Sequence, residues 1–263
     1  MIRAVSVVFI LAISVSAIAQ TKPWNGYKSA VVLTYDDALN VHLDNVIPAL
    51  DSAGFKGTFY LTVSSGAFTQ RMPEWKRAAD NGHELGNHTM YHPCRGGSDR
   101  SWVRPEYDLI TYTLKRIDDE VRMTNVVLQS VDGKTERTFA YPCGDMRVGE
   151  QSYVETISDD FVAARGVEDK IMQHGKVDPY TTSCFSIAGQ TGEHMIDLVK
   201  RSMKENGLLV LLFHGVGGEH GLNVELKEHR KLIAFLKENQ NDIWIAPFVD
   251  VMKYVKTSQA KPK

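Results

Sequence analysis

With 263 residues and a formal net charge of -2, the chain is long enough for one large domain with a real core. It carries no positive excess of the kind that marks a nucleic-acid or anionic-membrane partner. Its three cysteines, Cys94, Cys143 and Cys184, leave at least one thiol unpaired within the chain.

The first segment reads as a processing signal. Arg3 supplies positive charge, Ala4 to Ser16 is apolar, and Ala17-Ile18-Ala19 is a small-x-small cleavage site before Gln20. Residues 1–19 are therefore expected to be removed, with residues 20–263 forming the single mature domain of a secreted or periplasmic protein. The apolar run is short for a membrane span. No cysteine follows the cleavage site, so no lipid anchor is expected, and nothing implies a protein partner.

From there strand-like and helix-like stretches alternate. Ala30 to Tyr35 reads as a buried strand, Val41 to Ala53 as a helix, and Gly57 to Val63 as a strand. Pro73 to Asn81 is a short helix and Glu84 to Asn87 a short strand. Pro105 to Val131 holds one long helical pattern, with Ile110, Leu114, Ile117 and Val121 along one face. Thr138 to Tyr141, Val162 to Ala164 and Ser183 to Ile187 are strand candidates. Glu193 to Glu205 is helical, and Gly207 to Phe213 is the most hydrophobic strand. A helix over Val224 to Asn239, a strand over Asp242 to Ala246 and a closing helix over Phe248 to Lys256 complete the chain. Such alternation implies a largely parallel sheet covered by helices. The chemistry-bearing residues cluster at the C-terminal ends of several strands, which favours a (β/α) barrel over an open doubly wound sheet.

The adjacent carboxylates Asp36-Asp37 end the first apolar strand, and His88 and His92 follow another. Neighbouring strand residues point to opposite sides, so two adjacent carboxylates can take different tasks. A His-x-x-x-His pair converges on one ion if its backbone is helical. One carboxylate with two imidazoles is a facial set with open positions, suited to a divalent ion, and leaves the second carboxylate free as a base. An Asp-Asp pair or a His-x-x-x-His alone is an ordinary surface feature. Their joint occurrence at successive strand ends, with His214 after the strongest strand, is what points to a metal site. Zn, Co or Ni would each suit it.

At these residues the chain resembles the polysaccharide deacetylases of carbohydrate esterase family 4, the NodB-like group. Thr34-Tyr35-Asp36-Asp37-Ala38 is similar to the first family motif, and His88-Thr89-Met90-Tyr91-His92-Pro93 to the second. Phe139-Ala140-Tyr141-Pro142-Cys143-Gly144 resembles the third and Leu211-Leu212-Phe213-His214 the last. The resemblance implies a distorted (β/α) barrel, one domain, with fewer than eight regular strands. It implies Asp37, His88 and His92 as ligands of one divalent metal ion, Asp36 as base and His214 as acid. The backbone N–H of Cys143 is implied as an oxyanion donor, with Tyr141 and Pro142 at the substrate. The implied activity is removal of N- or O-linked acetyl groups from an acetylated polysaccharide or oligosaccharide. A non-catalytic carbohydrate-binding pseudoenzyme on the same barrel, or a cyclic-amide hydrolase, are the alternatives.

The chain departs from the family pattern at Ala140, where an Arg orienting the base is frequent. Arg165, at a later strand end, is the residue expected to supply that guanidinium. No Asp-x-x-Asp-Trp motif stands near Ser183 to Gly189 to place a carboxylate behind His214. The polar, Gly-rich segment Cys94 to Tyr107 leaves directly from His92 and is expected to wall a groove, with Trp102 stacking on a sugar or packing onto the barrel. Cys94 and Cys143 read as buried free thiols, with a bridge between them as the alternative. His83 reads as a structural donor. His42, His174, His194, His220 and His229 fit no partner pattern and read as surface residues.

Overall fold

The computed structural model describes residues 22–260; the expected processing signal lies outside the described residues. Nine strands make one sheet: β1 (Ser29–Asp36), β2 (Thr58–Leu61), β3 (Glu84–Asn87), β4 (Phe139–Ala140), β5 (Ala164–Arg165), β6 (Met172–Gln173), β7 (Phe185–Ile187), β8 (Gly207–Phe213) and β9 (Ile243–Ile245). The path runs β5-β4-β3-β2-β1-β8-β6, with β9 beside β1 and β7 beside β8. Every pairing is parallel except β6 on β8. The sheet curls without closing, so the distorted barrel is an open half-barrel.

β1 is the spine. Its first residues pair with β9 and its last with β2, while β8 lies along its other edge from Ala30↔Leu208 to Tyr35↔Phe213. All eight of its residues are buried, as a parallel strand covered on both faces requires. The period of two sorts the faces. Val31, Leu33 and Tyr35 of β1, with Leu209, Leu211 and Phe213 of β8, join the helix-side core. Ala30 and Val32, with Leu208, Val210 and Leu212, face the concave side. Each such side chain contributes roughly 1.5–3 kcal/mol on burial.

Among the described residues seven α-helices pack around the sheet: α1 (Ile47–Ala53), α2 (Gly66–Asp80), α3 (Leu114–Asp132), α4 (Val154–Ile157), α5 (Gly192–Glu205), α6 (Leu226–Glu238) and α7 (Phe248–Gln259). α7 adds Phe248, Val251, Met252 and Val255 to the concave-side core. Two helices differ from the sequence expectation. α2 starts at Gly66 rather than Pro73, because the Ser65 hydroxyl accepts the Phe68 N–H at 3.1 Å as an N-cap. Pro73 lies inside it, and the backbone leaves helical geometry at Arg71 (φ -124°). α3 starts after Thr113 rather than at Pro105. The Asp108 carboxylate takes the N–H groups of Gly96 and Ile110, both at 2.9 Å. That competes with a helix there and leaves Ile110 48% exposed. The two-residue strand β6 and the helix α4 gave too short a pattern to be expected.

Two histidines read as surface residues are core. His42 and His229 are fully buried. His229 Nε2 lies 2.8 Å from the Tyr35 hydroxyl, and His42 Nε2 lies 2.8 Å from the His214 carbonyl. Both sit on the buried stripe of an amphipathic helical segment, which single-residue reading overlooks.

Candidate metal centre

The strand period places the site. Asp36 has the parity of Ala30 and Val32 and so points to the concave side. His214 has that parity on β8, as does His88 beyond Gly86 of β3, whose missing Cβ leaves room for the Tyr60 ring. Asp37 starts the turn out of β1, with Asp37 and Ala38 at φ 78° and 56°.

His88 and His92 converge without a helix. Residues 88–92 are a loop with left-handed backbone at Thr89 (φ 65°) and His92 (φ 53°). Asn87 and Thr89 hold that shape. Asn87 Oδ1 accepts the Thr89 N–H at 2.8 Å, and Thr89 Oγ1 accepts the His92 N–H at 3.0 Å. Asn87 Nδ2 donates to Val121 O and Asn125 Oδ1 of α3 at 2.9 and 2.8 Å. Asp37, Thr89, His92 and Cys143 are all non-glycine residues at positive φ, a strain that concentrates at functional sites.

Asp37, His88 and His92 present three ligand atoms within 4.8 Å of one another. Asp37 Oδ1 lies 3.5 Å from His88 Nε2 and 3.4 Å from His92 Nε2, and it is buried without a hydrogen-bond partner. His88 Nδ1 donates to Ala140 O at 2.8 Å, which leaves the Nε2 lone pair facing Asp37, the tautomer a ligand needs. An orphaned carboxylate oxygen between two imidazole nitrogens fits a divalent cation. Burial favours the neutral Asp37 carboxyl, but the His88 ring beside it and the neighbouring imidazoles outweigh it and hold the group well below the usual carboxylate range. Burial pushes His92 down to about 4, so it stands neutral at pH 7. For His88 the Asp36 and Asp37 charges overcome burial and raise the pKa.

Arg165 faces Asp36 across the concave side. Its Nη2 lies 2.6 Å from both carboxylate oxygens, and both residues are buried. In the β4–β5 register Arg165 is the partner of Ala140, so the guanidinium stands one strand over from the family's usual place. Its Nη1 donates to Gly166 O at 3.1 Å and contacts Cys184 Sγ at 3.4 Å. Burial alone would lower the Arg165 pKa; the Asp36 carboxylate more than restores it.

Cys94 and Cys143 form a disulfide, which overturns the free-thiol reading; Cys184 is the buried free thiol. The backbone at Cys94 and Cys143 is positioned by two separate loops, a juxtaposition invisible in a linear sequence. The bridge also settles a second grouping of donor atoms, His92 with Cys94 and Cys143: bridged sulfurs are no thiolate ligands. It ties the loop leaving His92 to the turn Pro142–Gly144, which carries Cys143 at φ 56°.

A cavity of about 690 Å³ opens over the cluster, lined among others by Asp36, Asp37, Cys143, His214 and Trp102. Trp102 is 63% exposed and stands at its rim. Tyr141 touches the cavity, but its ring is buried and its hydroxyl donates to Tyr180 O at 3.0 Å. Pro142 is buried in the turn. His214 Nε2 lies 3.9 Å from Asp37 Oδ2. Its Nδ1 is buried without a partner, so no carboxylate stands behind it, and burial lowers its pKa. His220 is the residue that sequence reasoning missed. Its ring stacks on His214 at 4.8 Å between centroids and its Nε2 lies 3.7 Å from Asp37 Oδ2. The six-residue step from His214 to His220 has neither helical nor strand spacing, so no pattern flagged it.

Fold and donor set together define an α/β half-barrel of the carbohydrate esterase family 4 type, with groups suited to a divalent ion. The chain belongs to the polysaccharide deacetylase family, whose pattern matches residues 25–156. Over 120 residues it is 29% identical to the peptidoglycan-N-acetylmuramic acid deacetylase of Bacillus subtilis (strain 168). That alignment covers 45% of this chain and only 39% of the relative's length. A probable polysaccharide deacetylase from Pseudomonas aeruginosa PAO1 superposes with a TM-score of 0.66 at 10% identity, covering 92% of this chain and 96% of that one. A carbohydrate esterase family 4 pseudoenzyme from Bacillus anthracis superposes with a TM-score of 0.53 at 18% identity, covering 85% and 65%. At such identities these two structures speak for the fold alone.

Proposed function

We propose that the protein hydrolyses acetyl groups from an acetylated polysaccharide, N- or O-linked, with Asp36 as base and His214 as acid. The observation that carries this reading is the buried pair of Asp36 and Arg165 beside the orphaned Asp37 oxygen. One carboxylate is held for chemistry while the other faces two imidazoles.

Asp37, His88 and His92 would hold the ion. When bound there, a divalent ion, zinc in the simplest case, lowers the pKa of water and polarises a carbonyl. Asp36 takes the proton of the attacking water. Arg165 fixes the carboxylate in one rotamer and balances its charge. The Cys143 N–H, at the tip of its turn, is assigned to the developing oxyanion. His214 gives a proton to the leaving amine or alkoxide, so acetate and a free amine or hydroxyl result. Trp102 offers an apolar face to a sugar ring at the rim. That rim, with Trp102, Val167 and Leu222 all exposed, suits a polymer better than a small cyclic amide. The intact set Asp36, Asp37, His88, His92 and His214 speaks against a pseudoenzyme.

Among the described residues no helix is long and apolar enough to cross a membrane. Residues 1–19 are assigned to an export signal and residues 20–263 to the mature domain, secreted or periplasmic. The disulfide supports an oxidising compartment. Amino-terminal sequencing of the exported protein checks this, a start at Gln20 being expected.

The deciding experiment is acetate release from a panel of chitin oligomers, peptidoglycan and acetylated xylan, with and without added zinc. Release that chelation abolishes is expected. No release from any member, with zinc bound at one per chain, would leave a binding protein. In the same assay Trp102→Ala should raise KM for the polymer more than for a small acetyl ester.

A further inference from the structure

We propose that His220 is a substrate-binding residue of this site: its ring presents a fixed Nε2–H donor to an oxygen of the acetylated substrate and is not a metal ligand. The proposal rests on the deacetylase reading. The ring lines the same cavity as Asp36, Asp37, His88 and His92, and a histidine there would ordinarily be counted as one more ligand.

The hydrogen bonds decide otherwise. The Leu222 N–H donates to His220 Nδ1 at 3.0 Å. An N–H donates only to a bare nitrogen, so the ring proton sits on Nε2. His88 shows the opposite arrangement, with Nδ1–H on the Ala140 carbonyl and a bare Nε2. Two imidazoles face one carboxylate, Asp37, from opposite tautomers. His88 meets Oδ1 with a lone pair, and His220 approaches Oδ2 with a hydrogen.

The His220 Nε2–H has no acceptor within hydrogen-bond distance among the described residues; Asp37 Oδ2, at 3.7 Å, is too far. The donor is therefore left pointing into the cavity beside His214, where a sugar hydroxyl or acetyl oxygen would lie during turnover.

The loop that carries the ring is built to hold it. Gly215–Val216 and Asn223–Val224 form a short parallel ribbon. Gly215 N and Gly217 N donate to Leu222 O and Val224 O at 3.0 and 2.8 Å. Gly215 has no space for a side chain, since a Cβ would meet Gly218 O at 2.4 Å. Glu219, at φ 68°, accepts the Asn40 side-chain amide at 2.6 Å and the Val41 N–H at 2.8 Å. The loop bearing His220 is thus tied to the segment that follows Asp37. Stacking on His214 fixes the ring plane. A donor held this way loses little freedom on binding and orients what it touches.

The test uses the full mature chain. Histidine nitrogen NMR on the metal-free protein should show His220 protonated on Nε2. Titration with zinc should shift His88 and His92 and leave the His220 tautomer unchanged. His220→Ala should bind zinc within about twofold of wild type and lose roughly three- to tenfold in kcat/KM, the range for one lost neutral hydrogen bond to substrate. His220→Gln, which keeps an N–H donor, should recover part of that loss. Zinc lost in His220→Ala, or activity within twofold of wild type, overturns the proposal. If wild type itself releases no acetate, the deacetylase reading falls separately. N-acetylglucosamine oligomers added to the zinc-loaded protein then decide: a shifted His220 Nε2–H resonance supports the donor role, and an unmoved one overturns it.

Discussion

Asp36 and Asp37 are neighbours in the chain and differ in every contact. Asp36 ends a strand, inherits its inward parity and meets Arg165; Asp37 opens a left-handed turn and meets His88 and His92. Asp36→Asn should therefore leave zinc stoichiometry intact and lower turnover by ~10²–10⁴-fold, the usual cost of a lost base. Purified variant kinetics with a metal assay check both halves; activity within a few-fold of wild type would place the base elsewhere. Arg165→Met leaves the Asp36 carboxylate buried without its partner. Breaking such a pair costs roughly 3–5 kcal/mol, so the metal-free variant should melt well below wild type, and unchanged melting would show the pair to be energetically idle.

At the scale of elements, the site is assembled from loops that the strand ends merely present. The disulfide joins the loop after β3 to the turn after β4, across a separation of 49 residues. Closing a loop of that length stabilises by roughly 2–4 kcal/mol through the unfolded chain. Cys94→Ala/Cys143→Ala should show that loss in chemical denaturation. Activity should fall further than zinc affinity does, because the bridge positions Cys143 and the Trp102 loop rather than the three ligands. Equal loss of zinc and activity would mean that the bridge holds the metal centre itself.

The whole molecule carries a pH dependence in its core. Burial pushes His229 from the ordinary 6.5 to about 3 and His42 to about 4. In the folded chain both rings stay neutral down to those values, whereas the unfolded chain protonates them below ~6.5. The unfolded state then binds more protons, so their contribution is complete above pH ~6.5 and is lost as the pH falls toward 4. Each ring adds a slope of about 1.4 kcal/mol per pH unit in that window. Urea denaturation at pH 7.5 and 5 should show the loss, and His229→Gln should flatten it. Identical slopes for variant and wild type would show that other groups carry the dependence.

Much was legible in the sequence because it rests on local periodicity. β8 spans Gly207–Phe213 as its hydrophobic run announces, and the inward parity of Asp36, His88 and His214 follows from the period of strands ending in them. The family motifs pick out the same residues. What failed locally were stretches where side chains compete for backbone groups, as Ser65 and Asp108 do at the starts of two helices. Other features rest on elements far apart in the chain, even where, as with Arg165, the residue itself is a candidate from its strand end. The Arg165 guanidinium reaches Asp36 across a sequence separation of 129 residues, and its place opposite Ala140 is a matter of register. The Cys94–Cys143 bridge and the seat of His220 depend on loops from different strands meeting over one cavity. The sequence alone determined which side chains can do the chemistry, since donor atoms and strand parity are written residue by residue. Only the tertiary structure decided which of them meet, because curling the sheet brings strand ends together that the chain keeps far apart.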